Sequence, residues 1–105
     1  MGFLKNVFQN LTGSPVSGAR SMVNSYLRFR QAYPGLNEKL ILCKTLESRY
    51  PEMNEREIKE WVNKYRDIKS LTYSVLIREC GIGSLDKYVV EISEIFDELD
   101  KKKNK

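Results

Sequence analysis

Histidine is missing from the 105 residues, cysteine occurs twice, proline three times and tryptophan once. With no imidazole, the commonest general base, proton shuttle and metal ligand is lost. No serine sits in a GxSxG elbow or beside an SxxK lysine, so the usual settings of nucleophilic catalysis are lacking as well. Cys43 and Cys80 lie far apart and without a CxxC or Cys/His companion, which excludes a four-ligand zinc site and a disulfide framework. Both read as small buried hydrophobes in a reducing compartment. No apolar run nears the ~18 residues that a spanning helix requires. The start of the chain also lacks the unbroken apolar core of a secretory signal, because Lys5, Asn6, Gln9 and Asn10 interrupt it. These absences point away from an enzyme: no catalytic residue, cofactor or metal is expected.

Acidic residues are absent from the first 37 positions, where Lys5, Arg20, Arg28 and Arg30 stand alone. Residues 38–100 reverse the balance, with ten basic against fourteen acidic side chains, and Lys101, Lys102, Lys103 and Lys105 restore a total of +4. The body is acidic between two basic ends. A basic end attracts anionic partners over about one Debye length, ~10 Å. The lysines at the carboxyl end also complement the dipole of a preceding helix, which needs no partner to explain it.

What the chain has in plenty is apolar residues at helical spacing. Phe3, Leu4, Val7, Phe8 and Leu11 share one face of a segment over 2–11 that Thr12, Gly13 and Ser14 end. Ser14 and Pro15 are a cap and first-turn pair for a second helix to about Ala32, with Val16, Ala19, Met22, Val23, Tyr26 and Leu27 inward and Tyr33-Pro34-Gly35 closing it. Asn37 caps a third to about Tyr50, with Leu40, Ile41, Cys43, Leu46 and Tyr50 inward. Asn54 and Glu57 form a capping box for a fourth, whose stripe is Ile58, Trp61, Val62 and Tyr65. After Asp67 the period resumes through Ile68, Leu71, Val75, Leu76 and Cys80 until Gly81, either as a separate helix or as a continuation of the fourth. Ser84 is expected to cap the last helix, with Leu85, Tyr88, Val89, Ile92, Ile95, Phe96 and Leu99 inward.

The fold expected is all-α, a compact bundle of five to six short helices. Residues 1–13 form an amphipathic N-terminal helix that stands as an appendage if it does not fold onto the bundle; 14–100 are the bundle and 101–105 a basic tail. The predicted core comprises Leu46, Ile58, Trp61, Val62, Leu71, Leu76, Val89, Ile92 and Phe96.

Glu91, Glu94 and Glu98 share a helix face but have no second acidic motif to complete a cation site, and they read as a solvated surface. Gly81-Ile82-Gly83-Ser84 follows a helix and lacks the lysine of a phosphate loop, so it reads as a plain turn. By elimination the expected function is a non-enzymatic, cytoplasmic protein-interaction module. Its contact surface is assigned to Phe3, Leu4, Val7, Phe8 and Leu11 together with Arg20, Arg28 and Arg30 of the second helix. Another protein is the first-ranked partner, and an anionic membrane surface, with the chain peripheral to it, is a second. A third reading treats the third and fourth segments as a helix-turn-helix pair that presents Arg56, Lys59, Asn63, Lys64 and Arg66 to DNA. Glu55, Glu57, Glu60 and Asp67 count against it, since phosphate binding needs an excess of cations on the docking face.

Overall fold

The computed structural model describes residues 14–103. The proposed helix over 2–11 lies outside them. Within them the fold is all-α, with five helices of ten residues or more and two short turns before the last of them: α1 Pro15–Ala32, α2 Glu38–Arg49, α3 Glu55–Lys64, α4 Ile68–Cys80, a single turn α5 Ile82–Leu85, a 3-10 turn Asp86–Tyr88, and α6 Val89–Lys103.

The helix starts are written in local chemistry. The Ser14 hydroxyl accepts the Ser17 amide at 3.2 Å, and buried Pro15 occupies the first turn where no amide is needed. Asn37 Oδ1 accepts the Leu40 amide at 3.0 Å and Asn54 Oδ1 the Glu57 amide at 2.9 Å. Asp67 Oδ1 accepts the Ser70 amide at 2.8 Å, a cap that separates α4 from α3 and decides between the two sequence alternatives. Gly81 closes α4 at φ 84°, a conformation open to glycine because it has no Cβ.

Two units pack their own interiors. Residues 21–75 bury Met22, Val23, Tyr26, Ile41, Leu42, Leu46, Ile58, Val62, Ile68, Leu71 and Val75. The other unit, residues 14–20 and 76–103 among those described, buries Ala19, Leu76, Leu85, Ile92, Ile95, Phe96 and Leu99.

Two core assignments and one cap change. Trp61 is half-buried: its indole stacks on Tyr50 at 5.8 Å, and its Nε1 donates to Ser74 Oγ at 2.8 Å, so the ring's polar edge is satisfied at the margin of the core. Val89 is 44% exposed. The buried residues of α6 are Ile92, Ile95, Phe96 and Leu99, and at ~100° per residue Val89 falls about 70° from the centre of that face. Ser84 does not cap the last helix, because the chain resumes helical form at Ile82 and then tightens through Asp86–Tyr88 before α6 begins.

Leu40 and Cys43 were expected inward with Ile41 and Leu46. The buried face of α2 is instead Ile41, Leu42, Thr45 and Leu46, while Leu40 is 41% exposed and Cys43 half-buried. Leu40 lies about 170° from the centre of the buried face. The helix is therefore apolar on two sides, and a single stripe drawn through both cannot be its packed face.

Two buried threonines differ in one respect. Thr45 Oγ1 donates to the Ile41 carbonyl at 2.8 Å, whereas Thr72 Oγ1 is buried without a hydrogen-bond partner. An orphaned buried hydroxyl costs about 1–3 kcal/mol. Thr72→Val keeps the shape and removes the hydroxyl, so urea unfolding is expected to show a gain of about 1 kcal/mol. Thr45→Val should give no gain, and equal responses of the two variants would contradict the assignment.

Candidate partner-binding site

The second apolar side of α2 has a consequence. Leu40, Cys43, Lys44 and Glu47 recur at i, i+3, i+4 and i+7 and so form one stripe. Opposite them α3 presents Glu55, Ile58 and Lys59, and with Leu36 these residues line an open groove of about 210 Å³. Its floor is Leu36, Leu40, Cys43 and Ile58, and its rim carries Lys44 and Glu47 on one wall and Glu55 and Lys59 on the other. Asn37 and Asn54 start the two helices that form these walls, so their caps set where the stripes begin.

The rim charges are unequally engaged. Lys59 Nζ pairs with Glu55 Oε2 at 3.4 Å, one turn apart on α3. Lys44 Nζ sits 4.7 Å from the centroid of the Tyr33 ring, which itself stacks on Phe29 at 6.5 Å. Burial pushes the Cys43 thiol above its usual range; Lys39 and Lys59 pull it down, and Glu47 and Glu55 push it back up. The groove thus holds a protonated thiol at neutral pH, a poor nucleophile. What it offers is apolar contact with a polar margin.

The residues singled out in the sequence are distributed differently. Phe3, Leu4, Val7, Phe8 and Leu11 lie outside the described residues. Arg20 is exposed on α1. Arg28 and Arg30 do not share a face, since two positions along a helix turn the side chain by about 160°. Arg28 lies over the Phe29 ring at 5.6 Å. Arg30 lies over the Tyr26 ring at 5.6 Å and its Nη1 donates to the Tyr26 hydroxyl at 3.5 Å. These two arginines are laid along their own helix rather than gathered into one basic patch.

The DNA-reading candidates Arg56, Lys59, Asn63, Lys64 and Arg66 are all exposed. Yet Lys59 is paired with Glu55, Lys64 lies over the Tyr65 ring at 5.4 Å, and Arg66 Nε donates back to the Asn63 carbonyl at 3.3 Å. On the outward side of α3, Arg56, Lys59 and Asn63 are accompanied by Glu60, so the face is of mixed sign. Among the described residues no group of three His, Cys, Asp or Glu side chains is placed to hold a metal ion, and no helix is long and apolar enough to cross a membrane.

The sequence pattern puts Leu40 and Cys43 on the inward stripe of the third helical segment and Ile58 in the core; Ile58 is buried, whereas Leu40 and Cys43 line the groove. The signal was available in α2: apolar residues at 40, 41, 42, 43 and 46 are too many for one stripe.

No known protein family matches the chain, and no curated protein or solved structure matches it either.

The Tyr26 contact has a measurable signature. Its hydroxyl, fully buried, donates to Glu38 Oε2 at 2.6 Å and joins α1 to the first turn of α2. Burial first, then the hydrogen bond and charge of Glu38, hold the phenol in its protonated form far above its ordinary range, outweighing Arg30. The folded protein therefore keeps a proton that the unfolded chain gives up near pH ~10. The stability from this group is complete below that pH and is lost as pH rises beyond it. Alkaline unfolding is expected to steepen above pH ~10 in the native protein and to be shallower in Tyr26→Phe; identical pH profiles would exclude the contact as its source.

Proposed function

We propose that the protein is a non-enzymatic interaction module that receives an apolar side chain of another protein in the groove between α2 and α3. The groove's size and lining carry this reading. Pockets for small molecules and cofactors run to roughly 300–1,000 Å³ and enclose most of the ligand. At about 210 Å³ and open to solvent, this one is too small for such a ligand and suits one protruding side chain. Protein interfaces are built this way, with a buried apolar anchor and a polar rim that excludes water around it. Cys43 and Cys80 are both free thiols, which suits a reducing, cytoplasmic setting.

Random peptides displayed on phage and selected on the full chain provide the test. Selected peptides should slow alkylation of Cys43 in a Cys80→Ser background and should lose about tenfold or more in affinity to Leu40→Asp, since a buried anchor contact is worth more than ~1.4 kcal/mol. Leu40 is 41% exposed, so that substitution should leave the circular dichroism spectrum unchanged. Peptides that bind Leu40→Asp as well as the native chain, with no protection of Cys43, would refute the groove as the site.

A further inference from the structure

The rim of the groove has a direction. On the α2 wall Glu47 lies towards the turn that joins α2 to α3, and Lys44 one turn further from it, with its amine drawn to Tyr33. On the α3 wall Glu55 and Lys59 satisfy each other at 3.4 Å. The rim charges outside that pair are thus the Glu47 carboxylate at the turn end and, at the far end, the Lys44 ammonium, which lies over the Tyr33 ring and keeps its charge, with the apolar floor of Leu40, Cys43 and Ile58 beside them.

We infer that the partner segment carries a bulky aliphatic anchor flanked by a basic residue on the side that meets Glu47 and by an acidic residue on the side that meets Lys44. This inference rests on the groove being the binding site and adds the orientation of what binds there. The anchor supplies affinity and the flanking charges supply order. Exposed ion pairs are worth little each, because water and salt screen them, so the charge order is expected to change affinity by about fivefold or less per pair. That effect is large enough to bias a selection and too small to create binding without the anchor.

The experiment compares peptides selected from the same phage library on the native chain and on a variant with both rim charges exchanged, Lys44→Glu with Glu47→Lys. Glu47 is exposed and Lys44 half-buried, both away from the packed face of α2, and unchanged circular dichroism confirms that the variant folds. The native chain should enrich an aliphatic residue with Lys or Arg on one side and Asp or Glu on the other. On the exchanged variant the order of the two charges about the anchor should reverse, and native-selected peptides should bind it several-fold more weakly, a difference that shrinks in high salt. Enrichment of the anchor with no charge order on either protein overturns this inference and leaves the groove standing. Enrichment insensitive to Leu40→Asp removes the groove and this inference together.

Discussion

Burial of one side of a short helix while its other side remains apolar is the constraint on which the rest depends. In residues 38–49 the packed face is Ile41, Leu42, Thr45 and Leu46, each less than a few per cent exposed, and Leu40 is left almost diametrically opposite. Turning the helix to bury Leu40 would bring Leu42 or Leu46 into water, and full burial of a leucine is worth about 1.5–3 kcal/mol. Two leucines and an isoleucine on one side outweigh one leucine and a half-buried thiol on the other. The groove is what remains of the losing side once α3 packs beside it and sets Ile58 into its floor.

The same helix is fixed along its axis as well as in its rotation. Its first turn is held by Asn37 and by Tyr26, whose hydroxyl binds the Glu38 carboxylate. At its other end the Tyr50 ring stacks on Trp61, and Trp61 is in turn tied to Ser74, whose own hydroxyl donates to the Leu71 carbonyl at 2.7 Å. A chain of aromatic and hydroxyl contacts thus joins α2, α3 and α4 around the margin of their shared interior. The Tyr26 hydroxyl, Trp61 Nε1 and Ser74 hydroxyl each have a partner, which is what permits large amphipathic rings at the margin of an apolar core. Tyr26, Tyr50 and Trp61 serve packing, and none converges on the groove as a chemical group.

Charge in this chain is used locally. Arg28 and Arg30 of α1 lie over neighbouring rings, Lys59 is met by Glu55, and Arg66 folds back on Asn63. These contacts fix where the cationic groups lie, but a ring face or a carbonyl leaves the charge in place, and of these cations only Lys59 is met by a carboxylate. An apolar recess with a mixed rim is consistent with recognition by shape and contact, in which charge sets orientation more than strength.

Helix positions and ends were legible in the sequence because their causes are local: Ser14, Asn37 and Asn54 cap the amides three residues ahead, proline and glycine stop what precedes them, and the 3.6-residue period marks most packed faces. Asp67 belongs to the same class, although its capping role was not singled out. Which of two apolar sides of α2 is buried was not legible, nor was the demotion of Trp61 and Val89 from the interior. Those outcomes depend on which helices come to lie beside one another, and side chains far apart in the chain compete for the same limited buried volume. Amino-acid order alone determines that these residues coil into short rods. Only their packing decides which oily surface is hidden and which is left exposed, because burial is a property of neighbours and not of any residue by itself.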